Sequence, residues 1–135
     1  MKTDINQFVS KEQMATLIYY ARTGEERGFY KQLVLDLIKH LETMPKTYET
    51  DGQGDAATVQ LHYFNAGSDW WILERDIEDE QHQAFGFACL NGDTHCAELG
   101  YISINELINH NVELDLYYHP QTLGQVKDKL YKRAA

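Results

Sequence analysis

The hydrophobic period of this chain changes once, and that change decides what it can fold into. Up to Met44 the apolar residues recur every three or four positions: Met14, Leu17, Ile18 and Ala21, then Phe29, Leu33, Leu37, Leu41 and Met44. That is the stripe of an amphipathic helix. From Val59 the spacing falls to two, with Val59, Leu61 and Tyr63 alternating with Gln60, His62 and Phe64, as in a half-buried strand. Trp70-Trp71-Ile72-Leu73 follows the turn Asn65-Ala66-Gly67-Ser68 and predicts the second arm of a hairpin. Two more apolar runs, Gln83 to Leu90 and Glu98 to Ile102, are reached through the acidic turn Asp76 to Glu80 and the loop Asn91 to Thr94. A parallel crossover needs a dozen residues or more, so strands joined by such short links form an antiparallel meander.

Local punctuation completes the order. Ser10-Lys11-Glu12-Gln13 has the form of a capping box, in which the Ser hydroxyl and the Gln side chain satisfy each other's free backbone donors. Gly24 separates the two N-terminal helices, and Pro45 with the polar run Lys46 to Asp55 ends the second. A second box, Ser103 to Glu106, opens a short helix carrying Leu107 and Ile108. Val112, Leu114, Leu116 and Tyr118 alternate with Glu113, Asp115 and Tyr117 as a fifth strand, and Thr122 caps a last helix with Leu123, Val126 and Leu130. The expected fold is α+β, an antiparallel sheet of about five strands in the order ααββββαβα. A chain of 135 residues forms one domain, residues 1–135, that buries about two-thirds of its unfolded surface and needs no staple.

Charge narrows the function classes. The net charge is −9, and the excess is concentrated: from Tyr48 to Asp115 fourteen carboxylates stand against one base, Arg75, whereas the two ends are balanced or basic. Such a field repels nucleic acid and anionic membranes and attracts basic partners or cations, so no direct nucleic-acid binding is expected. No run approaches the roughly 18 apolar residues of a membrane span, and the start of the chain lacks a secretory signal. The chain reads as cytoplasmic. Two cysteines, Cys89 and Cys96, exclude a disulfide scaffold and are expected to stay reduced.

Several constellations carry potential chemistry. His82, Cys89, His95 and Cys96 supply imidazole and thiolate groups within fifteen residues, but without the short knuckle spacing of structural zinc sites. As a small core hydrophobe Cys89 needs no metal. Cys96 beside His95 is the one candidate thiol nucleophile, and acidic surroundings raise rather than lower a thiol's pKa. The loop Glu49 to Asp55 offers carboxylates on a Gly-flexible turn without the pattern of a twelve-residue calcium loop. Paired carboxylates such as Glu74 with Asp76 read as solvated surface. No cofactor is implied.

Aromatic residues are the remaining signal. Trp70 and Trp71 are adjacent on a strand and point to opposite sheet faces; by the same alternation Tyr117 lies outward with Glu113 and Asp115. If helices cover one side of the sheet, the other presents aromatics among carboxylates, the composition of a binding patch for a basic partner. If helices cover both sides, the aromatics are core. The sequence leaves both open.

The blocks Ala84-Phe85-Gly86-Phe87, Ala97-Glu98-Leu99-Gly100-Tyr101-Ile102-Ser103, Glu113-Leu114-Asp115-Leu116-Tyr117-Tyr118 and Pro120-Gln121-Thr122-Leu123 resemble a bacterial family, domain of unknown function 2958. Upstream, Met44 to Glu49, Leu61 to Phe64 and Asp69-Trp70 resemble a subgroup of that family associated with plasmids, prophages and integrative elements. The resemblance brings no activity or site residues. It implies a context, mobile-element cargo in which small accessory proteins antagonise host defence. The expected function is a non-enzymatic accessory protein acting through an acidic, aromatic-containing face, with Trp70, Glu74, Asp76, Glu78, Asp79, Glu113, Asp115 and Tyr117 as contact residues, by imitating the charge of DNA. The alternatives are a small metal-dependent enzyme using His82, Cys89, His95 and Cys96, and a homodimeric domain with no site of its own.

Overall fold

The computed structural model describes residues 3–134. Helices α1 (Lys11–Thr23) and α2 (Arg27–Thr43) precede strands β1 (Thr58–Val59), β2 (Leu61–Asn65), β3 (Ser68–Glu74), β4 (Ala84–Cys89) and β5 (Glu98–Ile102). Helix α3 (Ile104–Asn109), β6 (Glu113–Leu114), β7 (Gln121–Thr122) and α4 (Leu123–Ala134) complete the chain. The fold is α+β, as the period switch requires. The main sheet runs β5-β4-β3-β2-β6, every neighbouring pair antiparallel. β1 and β7 form a separate two-stranded ribbon.

Turn chemistry sets the register. In the β2–β3 hairpin Ala66 and Gly67 both have positive φ, 46° and 87°, the conformation a two-residue turn needs to match the strand twist. Pairing follows as Leu61 with Ile72, His62 with Trp71 and Phe64 with Asp69. Where β3 meets β4 the register slips between Ile72 and Glu74, and the chains close in on Gly86. A Cβ there would sit 2.1 Å from the Trp71 carbonyl oxygen, so only glycine fits.

Alternation along the strands builds two cores, one on each face. Leu61, Tyr63, Ile72, Ala84 and Ile102 pack with Leu17 of α1, Leu41 of α2 and Ile104 of α3. The Tyr63 hydroxyl, fully buried, donates to the Phe8 carbonyl at 2.5 Å. On the opposite face Trp71, Leu73, Phe87 and Cys89 pack under Leu123, Val126 and Leu130 of α4. Each such fully buried large apolar side chain contributes roughly 1.5–3 kcal/mol. Helices therefore pack on both sides, although α4 leaves Leu99 and Tyr101 of β5 and Phe64 of β2 exposed. Trp71 is core, and Trp70 is half-buried against the three-helix side.

Two local expectations are corrected. The fifth strand expected over Val112 to Tyr118 pairs only at Glu113–Leu114. Asp115 stops it, because its side chain accepts from the Tyr117 amide at 3.1 Å and bends the backbone out of the sheet. In the first capping box Ser10 does accept from the Gln13 amide at 3.2 Å, but the Gln13 side chain does not reciprocate. It clamps β6 instead, donating to the Leu114 carbonyl at 2.8 Å and accepting from the Leu114 amide at 2.9 Å. The full reciprocal box occurs at α4, where the Thr122 hydroxyl accepts from the Gln125 amide and the Gln125 side chain from the Thr122 amide.

Candidate functional site

The acidic residues divide into a buried set and an exposed set. Glu74 is only 2% exposed and accepts from the backbone amides of Tyr48 and Thr50, both at 2.8 Å, and from the Thr50 hydroxyl. Asp76, 7% exposed, accepts from the amides of Glu78 and Gln83 and organises the β3–β4 loop. These two carboxylates were expected on solvated surface; they are internal because each satisfies backbone donors of a loop that has no ladder partners. Arg75 is buried between them. It donates to the Leu41 carbonyl and the Thr3 hydroxyl, both at 3.0 Å, lies over the Phe8 ring, and reaches Asp79 at 3.8 Å.

The eight expected contact residues do not share one surface. Glu78 and Asp79 lie in the loop at the far end of β3, whereas Glu113 pairs beside the hairpin tip at the β6 edge. Asp115 is engaged by His62, Trp70 belongs to the other sheet face, and Tyr117, 61% exposed, borders a groove with Tyr30 of α2.

The four candidate metal ligands are also separate. Cys89 is buried under α4, while His82 lies exposed near Glu80 and Ser103. His95 and Cys96 sit on an exposed 3-10 turn, Thr94–Cys96. Among the described residues no group of three or more His, Cys, Asp or Glu side chains is placed to hold a metal ion. A hydrogen bond to Asp93, together with its charge, pushes the Cys96 thiol up from its ordinary value, away from a nucleophile's range. In the Glu49–Asp55 loop Glu49 accepts from the Lys46 amide and Asp55 pairs with Lys127 of α4 at 2.8 Å.

A cleft of about 510 Å³ opens between α4 and the sheet. Its floor is the α4-facing side of the β2–β3 hairpin. His62 stands there with Nε2 2.7 Å from Asp69 Oδ1 and Nδ1 3.3 Å from Asp115 Oδ2, stacked parallel on Trp71 at 5.4 Å. A neutral imidazole has one N–H and serves one carboxylate; only the imidazolium donates to both. Tyr118 packs against the His62 ring at 5.7 Å and forms a side of the cleft with Gln121. The opposite wall is α4, where Val126, Lys129, Lys132 and Arg133 fall on one stripe by their three- and four-residue spacing.

Comparison with known proteins adds no family: no protein-family model, curated protein or solved structure matches this chain. The cleft residues His62, Asp69 and Tyr118 stand in the sequence as ordinary members of alternating runs. The available signal was the hairpin register, which sets Asp69 two pairs further toward the turn, on the same face as His62. The long-range partner Asp115 leaves no trace of that kind.

Proposed function

We propose that this chain is a non-enzymatic accessory protein of a mobile genetic element that works by protein–protein interaction, its exposed carboxylates occupying a basic protein surface of the kind that otherwise holds DNA. The observation that carries the reading is the fate of Arg75. The sole base between Tyr48 and Asp115 is 4% exposed and spends its donors internally, so that stretch presents no basic side chain to solvent. Glu78, Glu80, Glu98 and Glu113 are exposed with no Lys or Arg within ion-pair distance among the described residues. The resemblance to domain of unknown function 2958 supports the mobile-element context.

The test is association of the purified chain with basic DNA-binding proteins at about 0.05 and 0.5 M salt, with duplex DNA as competitor. Binding should fall steeply with salt, yield to DNA, and weaken when Glu78, Glu80, Glu98 and Glu113 are changed together to Gln. Glu74 and Asp76 are left intact because their neutralisation would report on folding. Association that survives both the high salt and the fourfold change sinks the reading.

A second reading rests on β5, which among the described residues pairs only with β4 and leaves an open edge flanked by exposed Leu99 and Tyr101. Antiparallel self-pairing there would make a homodimer; the mass in solution decides it.

A further inference from the structure

The cleft under α4 is a local inversion of the protein's charge. Lys127 on the same helix is tied to Asp55 and lies over the Phe87 ring, but Lys129, Lys132 and Arg133 have no carboxylate within 4.0 Å among the described residues. Cations near a helix C-terminus are favoured by the helix dipole, which explains their place on α4. It does not explain two further features of the opposite walls. The Tyr118 hydroxyl is buried and its O–H finds no acceptor among the described residues; burial pushes it up to about 12, although the Gln121 backbone N–H facing the oxygen works to lower it. A buried unpaired hydroxyl costs about 1–3 kcal/mol and calls for a ligand. Asp69 commits Oδ1 to His62 and leaves Oδ2 without a donor in a partly exposed position.

We propose that this cleft binds a nucleoside monophosphate, with the phosphate held by Lys129, Lys132 and Arg133 and the base lying toward Asp69 and Tyr118. Each part of the ligand answers one part of the cleft. Three cations, one of them a guanidinium that grips phosphate oxygens in pairs, suit a dianion better than a single carboxylate. Trp71, Tyr118 and Val126 give an apolar lining for a flat ring. Asp69 Oδ2 accepts an amino N–H, and the Tyr118 hydroxyl donates to a ring nitrogen or carbonyl, the donor and acceptor pair that a base edge presents. His62 acts as a positioning residue, its Nε2 holding Asp69 at 2.7 Å. The volume of about 510 Å³ lies in the usual range for small-molecule sites, roughly 300–1,000 Å³.

Isothermal titration of the full chain with AMP, GMP, CMP and UMP tests this, with ribose 5-phosphate, adenosine or guanosine, and inorganic phosphate as the separated parts. At least one monophosphate should bind with a Kd below about 1 mM, and each separated part at least tenfold more weakly. Changing Lys129, Lys132 and Arg133 together to Ala should weaken binding tenfold or more with an unchanged melting temperature, since all three are exposed. Tyr118→Phe should weaken it several-fold without changing the charge of the site, which loose attraction of an anion to lysines would not show. The proposal is overturned if no monophosphate binds at millimolar concentration, if inorganic phosphate or ribose 5-phosphate binds as tightly as the nucleotide, or if Tyr118→Phe leaves the affinity unchanged.

Discussion

Glu74→Gln is the sharpest probe of how the acidic segment is organised, because it removes a charge and almost no volume. One Glu74 oxygen accepts from the Tyr48 amide, and the other from the Thr50 amide and hydroxyl. In the Gln variant one of those oxygens becomes an NH2 group. The Thr50 hydroxyl can rotate to accept from it, but a backbone N–H, of Thr50 or of Tyr48 according to the amide orientation, is left facing another donor. An orphaned buried N–H costs about 1–3 kcal/mol, and hydrogen bonds to a charged acceptor are worth about 1 kcal/mol more than neutral ones. The expected loss is therefore about 2–4 kcal/mol. It should be localised: Tyr48 is held at φ 74°, a conformation costing about 1–3 kcal/mol for a non-glycine residue, and Glu74 is what pins it. Urea unfolding gives the magnitude, and hydrogen exchange at the Tyr48 and Thr50 amides shows the loop released before the sheet. Glu78→Gln, exposed, is the control and should lie within about 0.5 kcal/mol of the parent. If Glu74→Gln is no more destabilising than that control, the internal role of Glu74 is wrong.

Gly86→Ala would put a Cβ 2.1 Å from the Trp71 carbonyl oxygen and 3.0 Å from the Ile72 Cα; backbone cannot retreat as a side chain can, and a loss of about 3 kcal/mol or more in urea unfolding is expected. Gly100→Ala on β5, with nothing within 4 Å, should be close to neutral in the same assay. Tyr63→Phe removes the donor to the buried Phe8 carbonyl and should cost about 1–2 kcal/mol. Stability should also fall at alkaline pH. Burial raises the pKa of Tyr63 far above the ordinary 10.0 and that of Tyr118 to about 12, so the unfolded chain releases these protons first. The stability is intact below pH 10 and is lost as pH rises from there through about 12. Absorbance at the tyrosinate band and unfolding followed together should show these two phenols ionising only as the fold is lost; their free titration near 10 in the native state would refute the assignment.

Elements with strong local signals were legible before the fold was known. The change of period placed the helices and the meander, because burial on one face leaves its spacing in the sequence whatever the partner is. Asn65 to Ser68 placed the hairpin, since few turns tolerate two positive φ values. The failures were tertiary. The run Val112 to Tyr118 alternates as well as β2 does, yet only Glu113 and Leu114 find a partner, because Asp115 offers the backbone a turn instead of a ladder. Gln13 fits a capping box, but the Leu114 backbone, 101 residues away, competes for the same amide. The β1–β7 ribbon has two residues on each strand, too short for any period to show.

The binding regions were harder to read because charge in a sequence carries no depth. A run of fourteen carboxylates looks like one surface, but Glu74 and Asp76 turn inward to satisfy loop amides while the single base, Arg75, goes inward with them. The exposed charge that remains is scattered from the far end of β3 to the β6 edge. Sequence logic also grouped Lys129, Lys132 and Arg133 with a generally basic tail, although α4 lays them across the floor formed by His62, Asp69 and Trp71. What makes that place unlike the rest of the surface is unmet demand. Among the described residues three cations lack a carboxylate, a buried hydroxyl lacks an acceptor and a carboxylate oxygen lacks a donor, all around one cleft. Electrostatic relief alone would have cost the chain little, since it has twenty-one acidic residues to draw on; leaving these groups unpaired is consistent with a site kept open for a ligand of matching charge and hydrogen bonding.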